Sequence, residues 1–163
     1  MKDVTCCFTG HRKIPEEQYQ LLFNKTEKAV ERFIMDGYLN FCVGGALGFD
    51  TLAALVVLML KKKYPDIRLI LILPCLSQTR GWKIEDIEIY ENIKNQADEI
   101  VYTSEEYTRG CMHKRNRALV DKSSACIAYL TESKGGSAYT ADYAAKHGLT
   151  VYNVADGIKK ESQ

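Results

Sequence analysis

No stretch of this chain is apolar for long enough to cross a bilayer. The most hydrophobic helical segment, residues 52–60, is far shorter than the ~20 residues a spanning helix needs. The opening Met-Lys-Asp-Val-Thr-Cys-Cys lacks the apolar core of a secretory signal. A surplus of charge is missing too: 22 Lys and Arg against 21 Asp and Glu leave a net charge of +1. Binding along a phosphate backbone draws on a basic surface, so a dedicated nucleic-acid binder is disfavoured. The six cysteines (Cys6, Cys7, Cys42, Cys75, Cys111 and Cys126) include no CxxC pair. Their spacing matches neither a zinc site nor a disulfide framework. The expectation is a cytoplasmic protein with free thiols, no metal centre and no membrane contact. Cys6, Cys7, Cys42 and Cys126 sit in apolar runs, where a thiol acts as a small core residue. Cys75 and Cys111 lie near loops and are the alternatives for a reactive thiol. There is no internal repeat and no break in composition, and 163 residues suit one domain.

What is present is an alternation of strand and helix patterns. Residues 4–9, 39–43, 67–73, 99–102, 125–130 and 150–153 are short apolar runs that read as strands. Between them lie helical patterns, the first opening at Pro15 and stopping at Gly37. The second starts at Thr51 with Asp50 as N-cap and ends in Lys61, Lys62 and Lys63. Others cover 84–97, 112–122 and 138–147, the last with Ser137 as N-cap and Gly148 as stop. The run 67–73 is apolar throughout, as a central parallel strand buried on both faces requires. The fold class is therefore α/β: one open, mainly parallel sheet of about six strands with helices on both faces. The domain is expected to span residues 1–157, with 158–163 a frayed polar tail.

In such a sheet ligands bind beyond the C-terminal strand ends, near the reversal of strand order. Four segments fall there. Thr9-Gly10-His11-Arg12 follows the first strand, and Arg12 offers a planar fork for phosphate while His11 can donate or titrate. Gly44-Gly45-Ala46-Leu47-Gly48-Phe49-Asp50 follows the second. Its glycines allow close backbone approach, and the next helix start favours an anion. Arg115 and Asn116 lie early in the helix after the fourth strand. Gly135, Gly136, Ser137 and Thr140 follow the fifth and repeat the glycine-plus-helix logic. A ligand-free alternative holds for each: tight turns for the glycines, solvated faces for the charges. No G-x-G-x-x-G pattern occurs, and no carboxylate ends the strand after either turn. Both absences argue against a hydride-transferring dinucleotide enzyme. His147 is expected to meet the negative end of its own helix, and Trp82 to serve packing.

Taken together, the motifs resemble the YpsA-like family. They are Thr9-Gly10-His11-Arg12, the loop from Gly44 to Asp50, Gly110-Cys111-Met112-His113-Lys114-Arg115-Asn116-Arg117 with Val120-Asp121, and Gly135-Gly136-Ser137 with Tyr143-Ala144. They occur in the family's order over nearly the whole chain. The family is similar in turn to a larger group, termed SLOG, that holds the DNA-processing protein DprA and the Lonely Guy phosphoribohydrolases. The resemblance implies a Rossmann-like fold and a site for a nucleotide-derived ligand. The hydrolases carry an Arg in a Met-His-x-Arg-Lys segment, which Met112-His113-Lys114-Arg115 matches. Their Pro-Gly-Gly-x-Gly-Thr-x-x-Glu loop is not matched: Lys134 replaces the Pro and no Glu follows. Asp142 is the nearest acid.

Three readings follow. The first is a binding or sensor module for a nucleotide, such as an ADP-ribose-like, NAD-like or nucleoside phosphate ligand. It would use Thr9, Gly10, His11, Arg12, Gly44, Gly45, Gly48, Asp50, Arg115, Asn116, Gly135, Gly136, Ser137 and Thr140. The second is a nucleotide N-glycosidase with Arg115 and Asp142 as its catalytic pair. The third is DprA-like nucleic-acid binding. No obligatory cofactor is implied, and association into a homo-oligomer stays open.

Overall fold

A computed structural model describes residues 1–156. Strands β1 (Thr5–Gly10), β2 (Asn40–Val43), β3 (Arg68–Leu73), β4 (Glu99–Tyr102), β5 (Ala125–Tyr129) and β6 (Thr150–Asn153) form one sheet. Every pairing is parallel, in the order β4-β3-β2-β1-β5-β6. Helices α1 (Tyr19–Met35), α2 (Phe49–Lys61), α3 (Ile84–Gln96), α4 (Cys111–Asp121) and α5 (Gly136–Lys146) make the crossovers. The α/β expectation of a single Rossmann-like sheet holds. The polar tail expected at 158–163 lies outside the described residues.

The period-two alternation of strand side chains divides the core in two. Phe8, Phe41, Val43, Leu69, Leu71, Leu73, Ile127 and Tyr129 point to the face covered by α1, α2 and α3. Cys7, Cys42, Ile70, Ile72 and Cys126 point to the other, against Leu119 and Val120 of α4 and Ala144 of α5. In register, Cys42, Cys7 and Cys126 are neighbours across β2, β1 and β5. This row of small side chains lets α4 and α5 lie close over the sheet centre.

All six cysteines are buried and free, none more than 2% exposed. Cys75 and Cys111 are as buried as the rest, so a reactive loop thiol at either is not what the fold provides. Burial pushes the Cys6 thiol up and the Cys42 thiol up to about 12. For Cys7 the neighbouring Cys126 thiol is the main cause, with burial second. Thiolate, the reactive form, is therefore scarce. Titration with an aromatic disulfide reagent should find almost no reactive thiol in the native protein and six after denaturation. One fast-reacting thiol in the native state would contradict this packing.

Two helix starts differ from expectation for one reason. Helix α2 begins at Phe49 rather than Thr51, and α5 at Gly136 rather than Ala138, each directly after a positive-φ glycine, Gly48 or Gly135. Glycine turns the chain into the helix within one residue, so neither Asp50 nor Ser137 caps it. The chain after Pro15 first makes a single 3-10 turn, Glu16–Gln18, and α1 proper starts at Tyr19. Trp82 packs edge-on against Tyr90 at 5.4 Å, and His147 Nδ1 lies 2.8 Å from the Tyr143 carbonyl, as expected. No described helix is long and apolar enough to cross a membrane.

Candidate functional site

From β1 the chain runs outward through β2, β3 and β4, then returns through α4 to β5 on the other side of β1. Strand order thus reverses between β1 and β5, and their C-terminal ends splay into a crevice. A cleft of about 310 Å³ opens there. Its walls are Thr9, Gly10, His11 and Arg12 from the end of β1, Ala46 and Asp50, Met112, Arg115 and Asn116 from α4, and Lys134, Gly135, Gly136 and Ser137. All four segments read from the sequence meet at one place.

The residues do not all contribute as expected. Gly44, Gly45, Gly48 and Thr140 stand behind the cleft. A Cβ at Gly44 would lie 2.7 Å from the Arg115 guanidinium, and one at Gly45 2.5 Å from the Leu73 side chain. One at Gly48 would fall 2.2 Å from the Arg12 carbonyl oxygen. These glycines let protein approach protein, not ligand. Thr140 returns its hydroxyl to the Gly136 carbonyl at 2.8 Å. Gly135 and Gly136, by contrast, face open space, with nothing within 4 Å of an added Cβ. Only the second glycine loop can present bare backbone to a ligand. Ser137 holds that loop by donating to the Gly10 carbonyl at 2.7 Å. His11 Nε2 accepts the Thr131 N–H at 2.9 Å, so its proton, when the ring is neutral, sits on Nδ1.

Arg115 is the centre of the wall. It is 5% exposed. Nη1 donates to the Gly44 carbonyl, and Nε donates to Asn116 Oδ1 at 2.8 Å. Among the described residues no carboxylate lies within 4 Å of its guanidinium, which appears in none of the ion pairs. Burial pulls its pKa down, and Asp50 is the main opposing influence. Gln78, also buried, donates to the same Gly44 carbonyl at 3.4 Å and accepts from the Tyr90 hydroxyl at 3.0 Å. This support had no sequence signal, because Gln78 and Tyr90 lie in segments that carry no motif.

Asp50 is 7% exposed. Its Oδ2 accepts the Ala46 N–H at 3.1 Å, and its other oxygen makes no hydrogen bond among the described residues. Burial raises its pKa, with Arg115, the Ala46 N–H and Arg12 pulling the other way. Asp142, the sequence's candidate acid, does not join the cleft: it is 62% exposed and pairs with Lys146 at 2.9 Å. The carboxylate that faces the cleft is Asp50.

A raised folded-state pKa has a definite sign. The folded protein holds this proton more tightly than the unfolded chain, so Asp50's contribution to stability is most favourable at low pH. It is lost as pH rises through the folded pKa. Asp50→Asn keeps an oxygen for the Ala46 N–H and removes the charge. Its melting temperature relative to wild type should therefore rise between pH 4 and pH 7. A difference that stays flat or falls over that range would show that ionised Asp50 is stabilised, not penalised.

The cleft is cationic although the chain is nearly neutral: Arg12, Arg115 and Lys134 line it against the single carboxylate of Asp50. The first N–H groups of α5, at Gly136 and the residues after it, have no partner within the helix and carry its positive dipole end. Chemically the arrangement offers donors and positive charge for an anion, with one protected carboxyl beside them.

A UPF0398 protein of Bacillus thuringiensis (strain Al Hakam) is 36% identical over 129 residues, covering 75% of this chain and 70% of its own. Two solved structures share the fold at low identity. DNA processing protein A from Streptococcus pneumoniae superposes with a TM-score of 0.66 at 16% identity, covering 99% of this chain and 56% of that one. DNA processing protein A from Helicobacter pylori, described in a single-stranded DNA binding mode, gives 0.62 at 17%, covering 99% and 74%. The YspA SLOG family model matches residues 7–155, from β1 to just past β6 and through every wall of the cleft. The chain therefore belongs to the YpsA family of SLOG proteins.

Proposed function

We propose that the cleft binds a nucleotide or nucleotide-derived ligand, with the phosphate held by Arg115, Arg12 and the N-terminus of α5, and that the protein serves as a ligand-binding or sensor module. One observation carries this reading. Arg115 is a buried cation in the cleft wall with no carboxylate within 4 Å among the described residues. A buried charge is costly unless paired, and a bound phosphate is the pairing the site lacks. Gly135 and Gly136, bare at a helix start, supply the backbone donors that phosphate accepts. Asp50 suits a ribose hydroxyl better than a phosphate, because two anions there would repel.

The test is thermal melting with AMP, ADP, NAD and ADP-ribose. A ligand that binds only the folded chain at a hundred times its Kd stabilises it by about 2.7 kcal/mol. A rise of several degrees with at least one compound, absent with inorganic chloride at equal ionic strength, supports the reading. No rise with any would sink it.

A second reading, N-glycosidic hydrolysis, is favoured by the position of Asp50, where a carboxylate could support an oxocarbenium-like transition state. Nucleoside monophosphates should then release free base, and Asp50→Asn should abolish release while Asp142→Asn leaves it unchanged. Extended nucleic acid is a weaker fit. The positive charge is gathered in a cleft of about 310 Å³, not along a groove.

A further inference from the structure

The two edges of the sheet are not alike. β4 carries Glu99, paired with Arg68 at 3.5 Å, and a charge on an edge strand discourages another strand from adding there. β6, at the opposite edge, reads Thr-Val-Tyr-Asn, with no charge and no proline. Thr150 and Val154 give their N–H groups to the Ser124 and Ala128 carbonyls. By the alternation of a strand, the N–H and C=O of Val151 and the N–H of Asn153 therefore point away from the sheet. No described strand pairs with them.

Beside this edge lies a groove of about 580 Å³ between β6 and α1. Lys25, Lys28 and Arg32 line it, Ala29 and Phe33 add apolar surface, and Tyr152, 51% exposed, stands on the strand side. None of the three cations joins an ion pair among the described residues. Lys25 donates to the Asp156 carbonyl at 2.8 Å. Asp36 is the one carboxylate on the walls among the described residues, so the groove is positive although the whole chain carries only +1. It shares no residue with the cleft between β1 and β5.

We propose that β6 is a docking edge for an extended acidic segment of a partner protein, which adds to the sheet as a seventh, parallel strand. A residue of that strand beside Tyr152 donates to the Val151 carbonyl and accepts from the Asn153 N–H, the two bonds a parallel neighbour makes. Register neighbours share a face, and Tyr152 shares that of Ile127, toward α1. Alternate residues of the added strand thus face the groove, about 7 Å apart. Lys28 and Arg32, four residues apart on α1, are separated by about 6 Å along its axis. Acids at alternate positions therefore meet both cations. The chain's own residues 157–163 hold two lysines against one glutamate and lack this complementarity.

The experiment is NMR titration of the isotope-labelled full chain with acetyl-Glu-Val-Glu-Val-Glu-Val-amide and, as control, the same peptide with Lys for Glu. The acidic peptide should shift the Val151 and Asn153 amide signals saturably, and the lysine peptide should not. Lys28→Glu with Arg32→Glu changes two exposed residues, so the fold should hold, and binding of the acidic peptide should weaken at least about fivefold. Val151→Pro removes an outward N–H at an edge, where proline is tolerated, and should abolish binding with the rest of the spectrum in place. No saturation by about 2 mM acidic peptide, equal shifts by both peptides, or shifts gathered around the Arg115 cleft would overturn the proposal. Binding that survives Val151→Pro would reduce it to charge attraction and overturn the added strand. Sedimentation of the free protein tests the remaining occupant: a dimer whose formation shifts the same two amides would make a second copy the partner of this edge and overturn the acidic segment.

Discussion

Gly48→Ala should destabilise the protein by about 3 kcal/mol or more, a large share of the stability of a domain this size. Two costs combine. Gly48 has φ +79° and ψ −120°, a region that residues with a Cβ avoid at about 1–3 kcal/mol. The added Cβ would also lie 2.2 Å from the Arg12 carbonyl oxygen, which is backbone and cannot swing aside. The contact matters because Phe49 donates its N–H to the His11 carbonyl at 3.1 Å, joining the start of α2 to the turn after β1. Relieving the clash must open that joint. Gly37→Ala is the control: it also has positive φ, +98°, but nothing lies within 4 Å of the new Cβ. It should show the dihedral cost alone. Urea unfolding of both variants at equal m separates the terms. If the two lose the same stability, the approach of Gly48 to Arg12 is not the constraint argued here.

This comparison also shows where sequence reading stops. The inner strands β1, β2, β3 and β5 were legible because each is buried on both faces, and the run 67–73 is apolar throughout. The meeting of the four loops was legible because parallel strands put their C-terminal ends on one edge. What each glycine is for was not legible. Gly48 and Gly135 both look like phosphate-loop glycines. One exists for the Arg12 backbone 36 positions away, the other for open space, and only the packed structure distinguishes them. The same holds for Ser137, whose hydroxyl is drawn to Gly10 across 127 positions. Asp142 is close in sequence to the glycine loop, but the helical turn carries it to solvent beside Lys146. Asp50 takes its place in the cleft because α2 begins two residues early.

Arg115→Met should weaken nucleotide binding about tenfold to a hundredfold without lowering the stability of the ligand-free protein. The two halves come from one physical circumstance. The guanidinium is desolvated, held by the Gly44 carbonyl and Asn116 but by no carboxylate within 4 Å among the described residues. Replacing a costly buried charge by an apolar side chain of similar length is often neutral or stabilising. Gly44 keeps Gln78 as a donor at 3.4 Å, so its carbonyl is not stranded. Binding has no such compensation. A charge-assisted contact to phosphate contributes roughly 1.5–3 kcal/mol, so its loss weakens affinity about tenfold to a hundredfold. Arg115→Ala should lose the same affinity but also stability, because it adds a cavity beside Gly44. An Arg kept only for structure would behave otherwise: Met would destabilise the free protein, and affinity would fall only as far as the fold did. Melting of the free variants, with calorimetric titration by the nucleotide that shifts wild type most, gives both quantities. Loss of stability in Arg115→Met with affinity retained would assign Arg115 to the fold and empty the cleft of its anchor.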